Sequence, residues 1–439
     1  MGAGGPAAAN FEKNAPAMQE KFLHYLWRWR RFNARNLRTT DGQTLEILHP
    51  GEPNEHAGPD FLNARIRLGE TLWAGAVEIH VNASEWLTHR HDTDRAYDNV
   101  VLHVVMEADQ SVRRASGELL PCFSLRGHIP PKLLEHYLRL EHERAWIPCA
   151  WFFPQAPSIV LHNWLDRLMV ERLEQKTGLV ATRLAETGNH WEEAFYRALA
   201  YNYGLKVNTE PFEALARSLP LSVLARQRSS LFQLEALLFG QAGFLEQPFQ
   251  DEYPRALARE YAHFRRKFNL SPVHPSQWKF LRMRPGNFPT LRLAQFAALC
   301  QQSGQLFGQI LDAQKLKDWE QLFDIPVSEY WQTHYLFDKI SATRTHHPGP
   351  GFIHSLLINT VAPFLFHYGK IRHLPAYQEK AIALLEQLPP EDNSILRNWQ
   401  NLGKTAKNAV ESQALLQLKT RYCEQKRCLE CAVFSCVSL

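Results

Sequence analysis

The residues best suited to chemistry lie in one stretch of the chain: Asp60, then Glu78-Ile79-His80, then Thr88-His89-Arg90-His91-Asp92-Thr93-Asp94. In an extended strand alternate side chains share a face, so Glu78 and His80 point one way while Val77, Ile79 and Val81 point the other, into a core. A carboxylate taken out of water without a partner is costly, so Glu78 needs a cation, a metal ion or a wet cleft beside it. Asp60 starts the preceding candidate strand, and a hairpin turning at Gly69-Glu70 brings it next to Glu78. Hard carboxylate oxygens suit magnesium or manganese, and a neutral imidazole such as His80 can take a proton near pH 7. Four of the 20 histidines lie between His80 and His103, and with Asp92 and Asp94 they have the composition of a transition-metal site, with His89 and His91 on a loop facing the same end as Glu78. The plainer alternative is that Asp60 caps a turn, Glu78 pairs with Arg65 or Arg67, and His103 is a hydrogen-bonded core residue.

A second constellation follows a helix that ends near Tyr422. Cys423, Cys428, Cys431 and Cys436 supply four soft ligands within fourteen positions, which suits structural zinc or an iron–sulfur cluster; a tail with no metal is the alternative. Lys426 and Arg427 beside them would lower the thiol pKa values. Cys122, Cys149 and Cys300 read as small buried hydrophobes.

Elements must hold these groups in place. Residues 1–17 are Gly/Ala/Pro-rich and read as a disordered leader without an export or lipid signal. From Glu20 the chain becomes an amphipathic helix with Phe22, Tyr25, Leu26, Trp29 and Phe32 at helical spacing. Leu45 to Leu48, Phe61 to Leu68, Leu72 to Val81 and Val100 to Met106 alternate like strands, and Ser84 caps a short helix before the last of them. From about Pro131 helical periods dominate, in Leu133 to Ala145, Ile159 to Leu184, His190 to Tyr203 and Leu221 to Phe239. The division is therefore an α/β domain over 18–130, a helical domain over 131–422 that divides again near 270, and a cysteine tail over 423–439. The fold class is α+β, multidomain.

The order of a helix with Glu20, a strand, Pro59-Asp60 opening a strand, Glu78-Ile79-His80 in the next, a helix and a strand resembles the core of the PD-(D/E)XK nuclease superfamily. That resemblance implies a mixed sheet, a divalent cation held by Asp60 and Glu78, and Glu20 as the helical acid that some members use. His80 stands where the superfamily has Lys, so a fixed positive charge is missing from that position. The cysteine tail is similar to the iron–sulfur loop of helical DNA glycosylases, with shorter first and last gaps, and some PD-(D/E)XK nucleases carry a four-cysteine cluster. Across nearly the whole length the chain resembles an uncharacterised bacterial family, domain of unknown function 2851. The matching phrases are Ala57-Gly-Pro-Asp-Phe, Val77-Glu-Ile-His, Trp86 to His91, Tyr97 to Val105, Glu235 to Gly243, Arg284-Pro-Gly-Asn-Phe-Pro and the terminal cysteines.

Composition sets the outer limits. With 439 residues, 45% hydrophobic, the chain is long enough for two or three domains and too apolar to be mainly disordered. A net charge of +4 leaves any affinity for nucleic acid to local patches. Two such patches exist, one with Arg28, Arg30 and Arg31, the other with Arg265, Arg266, Lys267, Arg282 and Arg284 near Trp278, Phe280 and Phe288. The longest uncharged stretch, 345–369, carries four histidines and reads as a buried helix, not a bilayer span. The expectation is a cytoplasmic metal-dependent nuclease acting on DNA or RNA. The alternative is a scaffold that binds nucleic acid or, through the helical domain, protein.

Overall fold

The computed structural model describes residues 19–302, 304–344 and 346–436. The expected leader over 1–17 and the last residues of the cysteine tail lie outside the described residues. The chain divides into two compact units, one of residues 1–161 with 421–439 and the other of residues 162–420.

In the first unit α1 (Glu20–Trp29) is followed by β1 (Leu45–His49), β2 (Glu52–Pro53), β3 (Phe61–Leu68), β4 (Thr71–Asn82), α2 (Glu85–Thr88), β5 (Val100–Glu107), β6 (Cys122–Ser124) and α3 (Pro131–His142). The sheet runs β1-β3-β4-β5-β6, with β2 on the edge of β3. The β1–β3 and β3–β4 pairs are antiparallel, and β4–β5 and β5–β6 are parallel. The β3–β4 hairpin turns at Gly69-Glu70, where Gly69 takes a φ of +56° that a side chain would resist. Phe22, Leu23, Leu26 and Trp27 line the buried face of α1 and pack with Phe61, Val77, Ile79, Leu102 and Val104 of the sheet. Each such side chain contributes about 1.5–3 kcal/mol on burial, so α1 is bound firmly along the sheet.

The first unit also takes in α3, through Leu133, Tyr137 and Leu140, and the tail, through Phe434, whose ring lies 5.4 Å from that of Tyr25. It thus extends past the boundary near 130 that periodicity suggests.

The second unit is mostly helical. Its helices include Trp191–Tyr203, Leu231–Gln241, Glu252–Lys267, Pro289–Gln302 and Pro375–Gln387. The stretch read as one helix from Leu221 to Phe239 is broken, because Ser230 accepts a hydrogen bond from the Gln233 N–H and starts a new helix there. A small hairpin, His334–Leu336 with Lys339–Ile340, interrupts the helices. One π-helical turn, Leu357–Val361, lies within the uncharged stretch. Among the described residues no helix is long and apolar enough to cross a membrane.

Candidate metal centre

Asp60 is held by the loop before it. The Asn54 N–H donates to the Asp60 carbonyl at 2.8 Å, and the Asn54 amide donates to the Pro59 carbonyl at 3.0 Å. A bulge at Asn63, with φ +57°, then sets the β3 register so that Phe61 faces Val77. Asp60 and Glu78 are interlocked as a result. The Ile79 N–H donates to Asp60 Oδ2 at 2.9 Å, and the Asp60 N–H donates to Glu78 Oε2 at 3.1 Å. Glu78 does not pair with Arg65 or Arg67; the Arg67 guanidinium instead meets Glu46.

Helix α1 supplies the third acid and a residue that sequence reading overlooked. Glu20 and His24 are one turn apart, and the His24 Nε2 lies 3.3 Å from Asp60 Oδ2 and 3.7 Å from Glu20 Oε1. Glu20, His24 and Asp60 have ligand atoms within 4.8 Å of one another. The only sign of His24 in the sequence is its spacing from Glu20.

Three imidazoles gather on the other side of Glu78. His80 Nε2 is 3.2 Å from His89 Nδ1, and Glu78 Oε1 is 3.6 Å from His80 Nε2 and 3.3 Å from His91 Nε2. His80 Nδ1 faces His103 Nε2 at 2.8 Å from the neighbouring parallel strand, where Glu78 and His103 are direct partners. Tyr97 stacks on His91 with ring centroids 3.8 Å apart, and the buried Trp86 lies edge-on to it at 5.4 Å. The loop that presents His89 and His91 folds back at Arg90, which has a φ of +61°. Asp92 and Asp94 do not join this group; Asp94 caps the turn at Arg95–Tyr97 by accepting from the Ala96 N–H.

The electrostatics are those of crowded like groups. Burial, then the Asp60 charge, push the Glu78 carboxyl up to about 8. Burial works against a charged His24, but Asp60 and Glu20 together outweigh it and raise the imidazole to about 9. Burial brings His80 down to about 4 and His103 to about 3, with neighbouring imidazoles adding to both effects. His91 is lowered in the same way, by burial and by His89. Burial thus biases His80, His91 and His103 to the neutral form, in which each ring keeps one lone pair for an electrophile.

The tail thiols are arranged differently. Cys431 is buried, Cys428 packs against the core of the first unit, and the Cys436 thiol donates to the Ala432 carbonyl at 3.3 Å. Among the described residues no three thiols of Cys423, Cys428, Cys431 and Cys436 lie within mutual coordinating reach. Burial pushes Cys428 up to about 11, and Lys21 and Lys426 do not reverse it. Cys149, expected to be a plain core residue, has its thiol raised by burial and by the nearby Cys431 and Cys428.

The basic patches are exposed, and their neighbours differ. Arg28 lies over the exposed Trp29 ring at 5.1 Å, Arg30 donates to the Leu48 carbonyl, and Arg31 donates to the Ser435 carbonyl. In the second unit Arg265 meets Glu246 at 3.6 Å, Arg266 donates to the Ala262 carbonyl, and Lys267 lies over Phe268. Arg282 and Arg284 are exposed, whereas Trp278 is buried and donates its indole N–H to the Ala242 carbonyl. Trp278 is therefore no stacking platform for a base.

Residues 20–394 match a family described as protein of unknown function, DUF2851. The chain belongs to this family. No curated protein and no solved structure matches it. Within this DUF2851 protein the matched residues take in Glu20, Asp60, Glu78 and all three inner histidines, while the tail cysteines fall beyond them.

Proposed function

We propose that this DUF2851 protein is a divalent-metal-dependent phosphodiesterase that cleaves nucleic acid in the cytoplasm. The observation that carries the reading is that Glu20 and Asp60 lie within coordinating distance of each other, while Asp60 and Glu78 are locked together through strand amides. Three carboxylates drawn together with one imidazole between two of them form an oxygen-rich donor set that suits magnesium or manganese. Such an ion, when bound, polarises a phosphoryl oxygen and makes a bound water acidic.

The chain's own groups do the rest. The interlock fixes both carboxylates without rotamer freedom, so little entropy is lost on binding. His24, with its Nε2 3.3 Å from Asp60 Oδ2 and 3.7 Å from Glu20 Oε1, sets positive charge between the two carboxylates. His80, braced by His103 at its Nδ1, stands beside Glu78 with its Nε2 3.6 Å from Oε1. Arg28, Arg30 and Arg31 offer positive charge to a phosphate backbone on the same unit.

Purified full-length protein is expected to cleave DNA or RNA with magnesium or manganese, and Asp60→Ala or Glu78→Ala to abolish cleavage while leaving the circular dichroism spectrum unchanged. The absence of Lys at His80 favours the second reading, a nucleic-acid-binding scaffold on a degenerate nuclease core. Binding without cleavage of any single- or double-stranded substrate in either metal supports that second reading. Metal content and an ultraviolet–visible spectrum on anaerobically purified protein separately test zinc or an iron–sulfur cluster at the cysteine tail.

A further inference from the structure

The imidazole side of the centre has a geometry of its own. A tetrahedral ion with bonds of about 2.0–2.1 Å has ligand atoms roughly 3.3 Å apart along each edge. His80 Nε2 to His89 Nδ1 is 3.2 Å, Glu78 Oε1 to His91 Nε2 is 3.3 Å, and Glu78 Oε1 to His80 Nε2 is 3.6 Å. The ligand atoms of His80, His89 and His91 all fall within 4.8 Å of one another. The three ring centroids are 5.1, 5.3 and 5.5 Å apart, with His80 and His91 near-parallel and His89 edge-on to both.

The supports point the same way. His103 holds Nδ1 of His80 at 2.8 Å, which aims the other ring nitrogen at the cluster, as imidazoles behind metal ligands do. Tyr97 and Trp86 fix the plane of His91. Glu78 turns one oxygen to this cluster and the other to the Asp60 amide, so it forms the wall between two pockets of different chemistry. Magnesium rarely takes three imidazoles, whereas zinc, iron(II), manganese(II) and cobalt(II) do.

We propose that His80, His89 and His91, with Glu78 beside His80 and His91, form a nitrogen-rich site for a transition-metal dication, with zinc the expected occupant, distinct from the oxygen-rich group of Glu20 and Asp60. The site goes beyond the phosphodiesterase reading and stands whether or not the protein cleaves nucleic acid. Its residues differ from those of the cysteine tail, and so does its spectrum, because it contains no thiolate.

The test uses the chelator-stripped full-length chain titrated with cobalt(II). The expected result is the visible absorption of four-coordinate cobalt without a thiolate charge-transfer band, displaced by zinc and unaffected by excess magnesium. His89 is exposed, so His89→Ala leaves the core packed and is expected to weaken cobalt and zinc binding at this site at least about 100-fold. Cys428→Ser and Cys431→Ser are expected to leave the thiolate-free band intact. Asp60→Ala is expected to lose cleavage and keep the band, which separates failure of this site from failure of the phosphodiesterase reading. A weak six-coordinate spectrum, displacement by magnesium, or an unchanged titration in His89→Ala would overturn the proposal.

Discussion

Glu78 and Glu235 are both buried carboxyls with raised pKa values, about 8 and about 7, yet they sit in opposite surroundings. Glu235, fully buried in the second unit, accepts a hydrogen bond from the Tyr253 hydroxyl, which also lies 3.4 Å from Ser328 Oγ. Glu78 has carboxylates on one side and neutral imidazoles on the other. The first carboxyl is met by groups that donate to it, as a structural polar residue must be. The second receives the Asp60 N–H at one oxygen, while its other oxygen faces the ring nitrogens of His80 and His91 and the Asp60 charge works against its own. The contrast teaches that burial alone does not mark a site; the signs and donor capacities of the neighbours do.

The largest expected effect tests the Glu78 side. Asp60→Ala is expected to lower the rate of metal-dependent cleavage by about 1,000-fold or more, since several kcal/mol of charge stabilisation is lost with the ion. A loss under about tenfold in a steady-state assay would place Asp60 with the structural carboxyls. Next in size is metal-linked stability. Magnesium at 100 times its dissociation constant is expected to stabilise the folded chain by about 2.7 kcal/mol, seen as a rise in melting temperature, and Asp60→Ala is expected to lose that rise while Glu235→Gln keeps it.

A pH experiment sharpens the Glu235 side. A carboxyl raised from 4.5 to about 7 keeps its proton in the folded chain after the unfolded chain has released it. Stability therefore falls as pH rises from about 4.5 to about 7 and then levels. Denaturant melts across that window are expected to show a fall in the native protein that Glu235→Gln reduces by on the order of 2 kcal/mol. Equal slopes in the two proteins would mean that Tyr253 already offsets the burial of the charge. The smallest effect concerns the exposed patch. Arg30→Ala is expected to reduce the salt slope of nucleic-acid binding by about one unit and to leave cleavage chemistry unchanged, measured by titration at several salt concentrations.

Much of the first unit was legible in its alternation. Phe61 to Leu68 and Leu72 to Val81 read as strands because apolar and polar residues alternate over more than one turn of the pleat, and their hairpin alone places Asp60 beside Glu78. The strand Cys122–Ser124 was not legible, because three residues carry no period and its partner, β5, is not its neighbour in sequence along a tight turn. His24 was hidden in an amphipathic helix whose apolar spacing dominates the pattern. The inward aim of His89 and His91 depends on the left-handed backbone at Arg90, and residue types alone do not announce a left-handed Arg. Cys149 meets Cys428 and Cys431 only through tertiary packing, at a sequence separation no spacing rule spans. The stretch from Leu221 to Phe239 showed its helical character and hid the break at Ser230, because its apolar residues run on at helical spacing across the cap.

The return of residues 421–436 to the first unit has a consequence for the order of biosynthesis. Tyr25 of α1 packs against Phe434, so the helix that carries Glu20 and His24 gains its last neighbour only after residues 162–420 have been translated. Domains commonly fold as the ribosome releases them, N-terminal segments first. Here helix α1 keeps the face around Tyr25 uncovered until Phe434 has emerged, long after the strands beside it.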